Sequence, residues 1–340
     1  MGLRIKSIWI LAEQCDGRVT RVFNELYTKA REIASQADGC RVCGVLLGRD
    51  LDAFAATVAK SGVDTVYCVE HPKLEAYQCD YYVKAIKDLV EKFSPDALWM
   101  GASVMGAELA PSVAAALRTG LAAHCVDISV GKDEQIAYMV PAFGGNVIGE
   151  ILIPETRPQM ATVRAGILDA KPCAEDAKAE IVRYTPSLPD EYVSPVELLS
   201  FQPTESPAQK LEDADIVLCA GRGLGSEAYW EKLNLLGRKI NAAVGYTRCV
   251  VDSKWADTEC NMIGTSGKSV KPKLYLGFGV SGATHHVCGM SKSGTIISVN
   301  KDSNAKIFGI SDYKVVAKSE RIIDAMLASY AEDKNRTRCD

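Results

Sequence analysis

A chain of 340 residues is long enough for two separate hydrophobic cores, because single cores stop growing at roughly 250 to 300 residues. Its composition, 47% hydrophobic and 24% charged, is that of an ordinary globular protein and excludes a disordered or fibrous chain. A formal net charge of -4, with no concentrated basic stretch, argues against nucleic acid or an anionic membrane surface as the main partner.

The first apolar run, Ser7 to Ala12, stops at Glu13, far short of the ~20 residues a bilayer span needs. It reads as a strand. Neither a secretory signal nor an Arg-rich presequence is legible, so the expectation is a cytoplasmic protein without membrane insertion. Strand-like runs then recur at 41–48, 65–71 and 97–103. Segments with helical spacing lie between and after them, at 21–36, 52–59, 77–93 and 107–117. Near-continuous apolar strands alternating with helices imply a parallel sheet covered on both faces.

From about Ala123 the rhythm shifts to shorter pieces, AAHCVDISVG, QIAYMVPAFGGNVIGEILIP and QMATVRAG, which suggest hairpins or edge additions to the same domain. The stretch after residue 174 is rich in Pro, Ser and acid and too sparsely apolar for a core helix, and residues 191–210 read as a linker. The α/β rhythm restarts with a strand at 215–220, a helix at 225–240, a strand at 273–280, a short helix in THHVCGM, strands at 294–300 and 313–317, and a helix at 319–332. The fold class is therefore α/β with two domains, 1–190 and 211–332, each built on a mainly parallel sheet flanked by helices. Residues 333–340 form a polar tail.

Twelve irregularly spaced cysteines, several inside predicted strands, fit reduced thiols packed as small apolar residues. Cys40 and Cys43 form a C-x-x-C, but within a strand pattern their side chains face opposite ways, and no second pair completes a zinc site. The first domain shows no cluster of acid, base and nucleophile. The signals sit after the strands of the second domain, where open parallel sheets place their ligands. LCAGRGLGSE sets Gly221, Arg222, Gly223 and Gly225 between a strand and a helix, where backbone amides can approach a phosphate. MIGTSGKSV resembles the end of a P-loop, but Met262 stands where glycine is required and Pro272 with a strand follows; what remains is a hydroxyl-bearing turn, Gly264, Thr265, Ser266 and Gly267. GVSGATHHVCGM places Ser281, Gly282, Ala283 and Thr284 before His285 and His286. On a helix the two histidines diverge by about 100°, which speaks against a shared metal. For either histidine a satisfied structural imidazole is the commoner role. Arg248, isolated in VGYTRCVVDSKW, fits a surface ion pair or a guanidinium stacked on an aromatic system.

In one order and with little slack, the chain carries AGRGL, AAVGYTR, VVDSKW, GTSGK, LYLGFGVSGATHH, TIISVNKD and AKIFGISDY. In these it resembles the alpha subunit of electron transfer flavoprotein. PAFGGN and RPQMATVRAG resemble the anaerobic and nitrogen-fixation branch. The resemblance implies a Rossmann-like second domain holding FAD, and a heterodimer with a beta subunit that packs against the first domain. It implies a carrier that passes electrons between an acyl-CoA dehydrogenase or related flavoenzyme and another redox partner, with NADH-linked bifurcation as a variant. It implies that Arg222 and Gly223 meet the phosphate or ribityl region. Arg248, after Thr247, would lie over the isoalloxazine, and Ser266, within 264–267, would reach flavin N5. Ser281 to Thr284 would wrap the pyrophosphate. His285 stands where the family has Gln, and His286 is placed at the flavin carbonyl O2, where it and Arg248 would stabilise the negative charge of reduction. Asn300, Lys301 and Asp302 would line the adenosine, with Asp312 behind them. Two further positions depart from the pattern: Lys318 where an acid is usual, and His124 in TGLAAHCV where Asp is usual. The competing reading is a stand-alone enzyme using the second domain for a nicotinamide or thiamine-type cofactor, and a third is a subunit that has lost its flavin.

Overall fold

The computed structural model describes residues 3, 5–15, 17–131, 134–142, 147–171, 178–189, 191–200, 211–256 and 260–336. These residues fall into two compact units, the first ending at Ser200 and the second beginning at Leu211. Part of PAFGGN, residues 201–210 of the expected linker and 337–340 of the tail lie outside the described residues.

The first unit opens with β1 (Ser7–Leu11), the small hairpin β2 (Gln14–Cys15) and β3 (Arg18–Val19), and helix α1 (Arg21–Ala34). It continues with β4 (Arg41–Gly48), α2 (Asp52–Ala59), β5 (Thr65–Glu70), α3 (Cys79–Phe93), β6 (Ala97–Gly101) and α4 (Val104–Leu117). Then come β7 (Leu121–Cys125), β8 (Asp127–Val130), β9 (Ile136–Ala142), β10 (Val147–Leu152), β11 (Gln159–Val163) and β12 (Glu180–Tyr184). Seven of these strands form one sheet in the order β12-β5-β4-β1-β6-β11-β7, and every pairing in it is parallel.

Strand alternation explains why both faces need cover. Along β1, Ile8 and Ile10 enter a core with Phe23, Leu26 and Ile33 of α1 and Val58 of α2. Trp9 and Leu11 enter the opposite core with Ile86 and Leu89 of α3 and Leu109 and Val113 of α4. The start of α4 is fixed by Ser103, whose Oγ accepts the Gly106 N–H at 3.0 Å. Burial pushes the Cys40 and Cys43 thiols up to about 11, so both stay protonated and inert near neutrality.

The pieces after Ala123 divide in a way their sequence does not announce. β8, β9 and β10 form the expected antiparallel sheet, but β7 and β11 join the main one, with β11 between β6 and β7. An all-buried QMATV is therefore an interior strand, and continuous burial, not alternation, is its signature. The acid-rich stretch also contains a strand, β12, at the sheet edge. Ile181 is exposed, while Arg183 pairs with Glu70 at 2.7 Å and with Asp52. Backbone pairing to β5 and rim charges hold it, and its short apolar pair, Ile181 and Val182, is lost among the polar residues around it.

The second unit runs β13 (Ile216–Ala220), α5 (Glu227–Ile240), β14 (Ala243–Tyr246), α6 (Arg248–Asp252), β15 (Leu274–Phe278), α7 (Thr284–Val287), β16 (Thr295–Asn300), β17 (Tyr313–Val316) and α8 (Ser319–Arg336). Its sheet is parallel in the order β14-β13-β15-β16-β17. Leu218 and Ala220 pack with Trp230, Leu233 and Leu236 of α5 and Ile323 of α8. On the other face Val217, Cys219 and Tyr275 meet Ile263, Val270, Met290, Ile307 and Phe308, which come from loops and single turns. β14 and α6 are additions to the elements expected from the sequence. AVGY is too short and glycine-broken to register alone, and it is strand because it pairs with β13.

Candidate cofactor-binding site

Chain order and strand order disagree at β13: the chain steps from β13 out to β14, then returns to β15 on the other side. Loops at such a reversal diverge and leave a crevice at the carboxyl end of the sheet. The two loops flanking it are stitched together by backbone bonds. Gly221 N–H donates to Phe278 O at 2.9 Å and Gly223 N–H to Gly279 O at 3.0 Å. A Cβ on Gly221 would stand 2.3 Å from the Gly279 oxygen, and one on Gly279, itself at φ +66, 2.2 Å from the Gly223 carbonyl carbon. Glycine is required there by close approach.

Beyond Gly279 the chain makes a second left-handed step at Gly282, φ +82, where a Cβ would stand 2.2 Å from Ile307 N. Ser281 O accepts the Ile307 N–H at 3.2 Å, which pins this turn to the segment after β16. As a result the backbone N–H groups of Ser281, Gly282, Ala283 and Thr284 have no protein acceptor among the described residues, and Ser281, Ala283 and Thr284 are exposed. A run of free donors of this kind suits anionic oxygens.

Two arginines stand near the same edge. Arg222, exposed, directs Nη2 to the Cys249 thiol at 3.5 Å, which brings the loop after β13 against α6. Arg248, also exposed, makes an ion pair within α6 to Asp252 at 3.0 Å. Thr247 precedes it, its N–H bonded to Ala220 O at 2.9 Å. Loop 264–267 closes as a tight return. Lys268 N–H donates to Met262 O at 2.7 Å, Gly267 N–H to Gly264 O at 3.1 Å, and Lys268 Nζ meets Glu212 at 2.9 Å. Ser266 is exposed and its hydroxyl has no partner among the described residues. Thr265 N–H donates to His285 O at 2.8 Å, tying this loop to α7.

The adjacent histidines part company. His285 is exposed with Nδ1 3.0 Å from Thr265 Oγ1. His286 is buried, 5% exposed, with Nδ1 3.0 Å from Ile263 O and Nε2 2.7 Å from the Tyr275 hydroxyl. A carbonyl only accepts, so Nδ1 carries the proton; burial lowers the ring's pKa to about 4, so Nε2 is bare and accepts from Tyr275. Both nitrogens of His286 are thus engaged inside the domain, and a donated bond to any ligand requires the ring to take up a second proton. Cys219 lies 3.9 Å from Nε2. Tyr275 and Cys219 carry no sequence signal, because a strand's inward residues read only as core.

Asn300 is buried and structural, its Nδ2 donating to Val280 O at 2.9 Å and its Oδ1 accepting from Asp302 N–H at 3.0 Å. It shapes the Ser281 turn from beneath. Lys301 and Asp302 are exposed beside it. Asp312 is not with them. Its Oδ2 accepts from Ile296 N–H at 2.8 Å, at the start of β16 and the opposite end of the sheet from Asn300. The acid precedes β17, and in a parallel sheet every strand start lies away from the crevice. Lys318 is exposed after the carboxyl end of β17. In the first unit His124 takes a left-handed conformation, φ 57, and its N–H donates to Thr162 Oγ1 at 2.9 Å.

Among the described residues no cluster could hold a metal ion, and no helix is long and apolar enough to cross a membrane. Known protein families divide the chain at the same place as its structure. Residues 8–189 match the electron transfer flavoprotein domain and residues 210–291 the electron transfer flavoprotein FAD-binding domain. The chain belongs to the electron transfer flavoprotein alpha subunit family. It is 34% identical over 322 residues to the electron transfer flavoprotein subunit alpha of Thermoanaerobacterium thermosaccharolyticum, covering 95% of this chain and 97% of that one. It is 32% identical over 361 residues to the acryloyl-CoA reductase electron transfer subunit beta of Anaerotignum propionicum, covering 97% of each. It is 32% identical over 329 residues to the protein FixB of Azorhizobium caulinodans, covering 96% of this chain and 88% of that one. The crevice of this electron transfer flavoprotein chain therefore lies in an FAD-binding domain, and its free amides and two arginines fit a dinucleotide with an anionic pyrophosphate.

Proposed function

We propose that the chain is the FAD-holding subunit of a heterodimeric electron carrier, completed by a beta subunit, that takes electrons from or delivers them to an acyl-CoA dehydrogenase or reductase-type flavoenzyme. The observation that carries this reading is the run of four unpartnered amides from Ser281 to Thr284 at the strand-order reversal. The named relative from Anaerotignum propionicum supports the acyl-CoA side of it.

Bound FAD supplies the one- and two-electron chemistry, and the chain sets its hold, exposure and charge environment. Ser281 to Thr284 donate to the pyrophosphate, with Gly282 and Gly223 permitting the approach. Arg222 adds a charge-assisted bond in the same region. Arg248 would place a permanent positive charge beside the ring system, and the turn of Gly264, Thr265 and Gly267 would offer the Ser266 hydroxyl to it. His286 lines the inner wall as a neutral dipole. It becomes a donor only on gaining a proton, which negative charge arriving beside it favours. Asn300 holds the turn, and Lys301 and Asp302, exposed beside it, would line the adenosine.

The test is to co-produce and co-purify the chain with an electron transfer flavoprotein beta subunit, record the visible spectrum, and identify the released cofactor by mass. A flavin spectrum with FAD released is the expected result. A colourless complex that also fails to take up added FAD would refute the reading.

A further inference from the structure

Two loops of the crevice are joined by a side-chain pair to which the function above gives no role. Thr265 Oγ1 and His285 Nδ1 lie 3.0 Å apart, beside the backbone bond from Thr265 N–H to His285 O at 2.8 Å. The backbones there are in close contact: a Cβ on Gly264 would stand 2.9 Å from the His285 carbonyl oxygen, and one on Gly289 2.7 Å from Gly264 N. The ring is exposed, and its Nε2 has no protein partner among the described residues.

A threonine hydroxyl has one hydrogen and two lone pairs, so the ring decides which way it points. When the neutral ring keeps its proton on Nε2, the bare Nδ1 draws the Thr265 hydrogen inward. When the ring takes a proton from solvent at Nδ1, Oγ1 must accept, and its own hydrogen turns outward. We propose that His285 is a positioning residue of the cofactor site, whose protonation swings the Thr265 hydroxyl from donating to the ring to donating to the bound anionic dinucleotide. FAD is then held in a pH-dependent way by this chain. The inference rests on the FAD reading.

The titratable groups on the packed elements leave this switch in place. Lys268 on the loop is held by Glu212 at 2.9 Å, His286 on the same helix is engaged at both nitrogens, and Cys288 follows one turn on. No carboxylate belongs to loop 264–267 or to α7.

The experiment uses the chain with its beta subunit, stripped of flavin and titrated with FAD by calorimetry at pH 5.5 and pH 8. Paired buffers of different ionisation heat count the protons taken up. The expected result is binding about tenfold tighter at the lower pH, with proton uptake, as for one added bond from a neutral donor to an anion. His285→Gln keeps a hydrogen-bonding side chain but cannot titrate, and Thr265→Val keeps the ring but removes the hydroxyl. Each should reduce the pH difference to within about twofold and abolish most of the proton uptake. Retention of the wild-type pH profile in either variant overturns the proposal and leaves the FAD function standing. Failure of the unaltered complex to bind FAD at any pH overturns both.

Discussion

Lowering the pH should unfold the second domain in part through a single side chain, His286. The ring is buried and neutral, and burial depresses its pKa from the ordinary imidazole value to about 4. The sign is that of a depressed base: the unfolded chain binds the proton first, so the stabilisation is complete above the unfolded value and is lost as pH falls toward the folded one. At about 1.4 kcal/mol for each tenfold change in proton affinity, that depression amounts to ~3 kcal/mol lost between roughly pH 7 and pH 4. Carboxylates titrate over part of that range, so the measurement is a comparison. Urea unfolding of the wild type and of His286→Gln would be followed across pH 4 to 8; the variant keeps a donor and an acceptor but cannot titrate. The wild type should lose ~3 kcal/mol more than the variant. The chain has four histidines, so their ring resonances can be followed individually by NMR, and Nδ1 of His286 should carry the proton at pH 7. A His286 resonance that titrates near 6.5, or stability curves for the two proteins that run parallel, would refute the tautomer and burial argument together.

Arg222→Ala should weaken FAD binding about ten- to a hundredfold by equilibrium titration, the loss of one charge-assisted bond, while thermal unfolding of the flavin-free protein is unchanged. Gly282→Ala should cost both fold and binding, because the residue sits at φ +82 with Ile307 N 2.2 Å from the new methyl. Its unfolding midpoint should fall and FAD should no longer bind at micromolar concentration. Ser103→Ala removes the N-cap of α4 and should destabilise the first unit by ~1 kcal/mol in denaturant unfolding without altering FAD affinity.

Element type was legible wherever an element is amphipathic or wholly apolar: β1, β4, β5, β6, α1 and α3 follow directly from their own spacing. The additions follow a different physics. β12 is specified by backbone pairing and by Arg183 reaching Asp52 and Glu70, and β14 by its register against β13; neither interaction is local in sequence. The glycine turns after β13 and β15 were legible because positive φ and close approach demand a particular residue. The failed P-loop was legible for the converse reason, since Met262 and Pro272 forbid what Gly267 and Lys268 suggest. Asp312 shows the limit of motif order: closeness in sequence to Asn300 conceals a position at the other end of a parallel strand.

The two histidines carry the argument one step further. Their adjacency in sequence suggests a joint role, but the ~100° step between neighbours on a helix sends them into different environments. His286 is committed to Ile263 and Tyr275 and resists protonation, so what it offers the crevice is a fixed dipole and a shape. Among the described residues His285 has no partner at Nε2, and it is joined through Thr265 to the loop that carries Ser266, so the proposed proton-dependent contact lies with it. The exposed ring and the buried one thus divide the tasks that one imidazole would otherwise combine. The pH dependence of cofactor binding should track His285, while that of domain stability tracks His286.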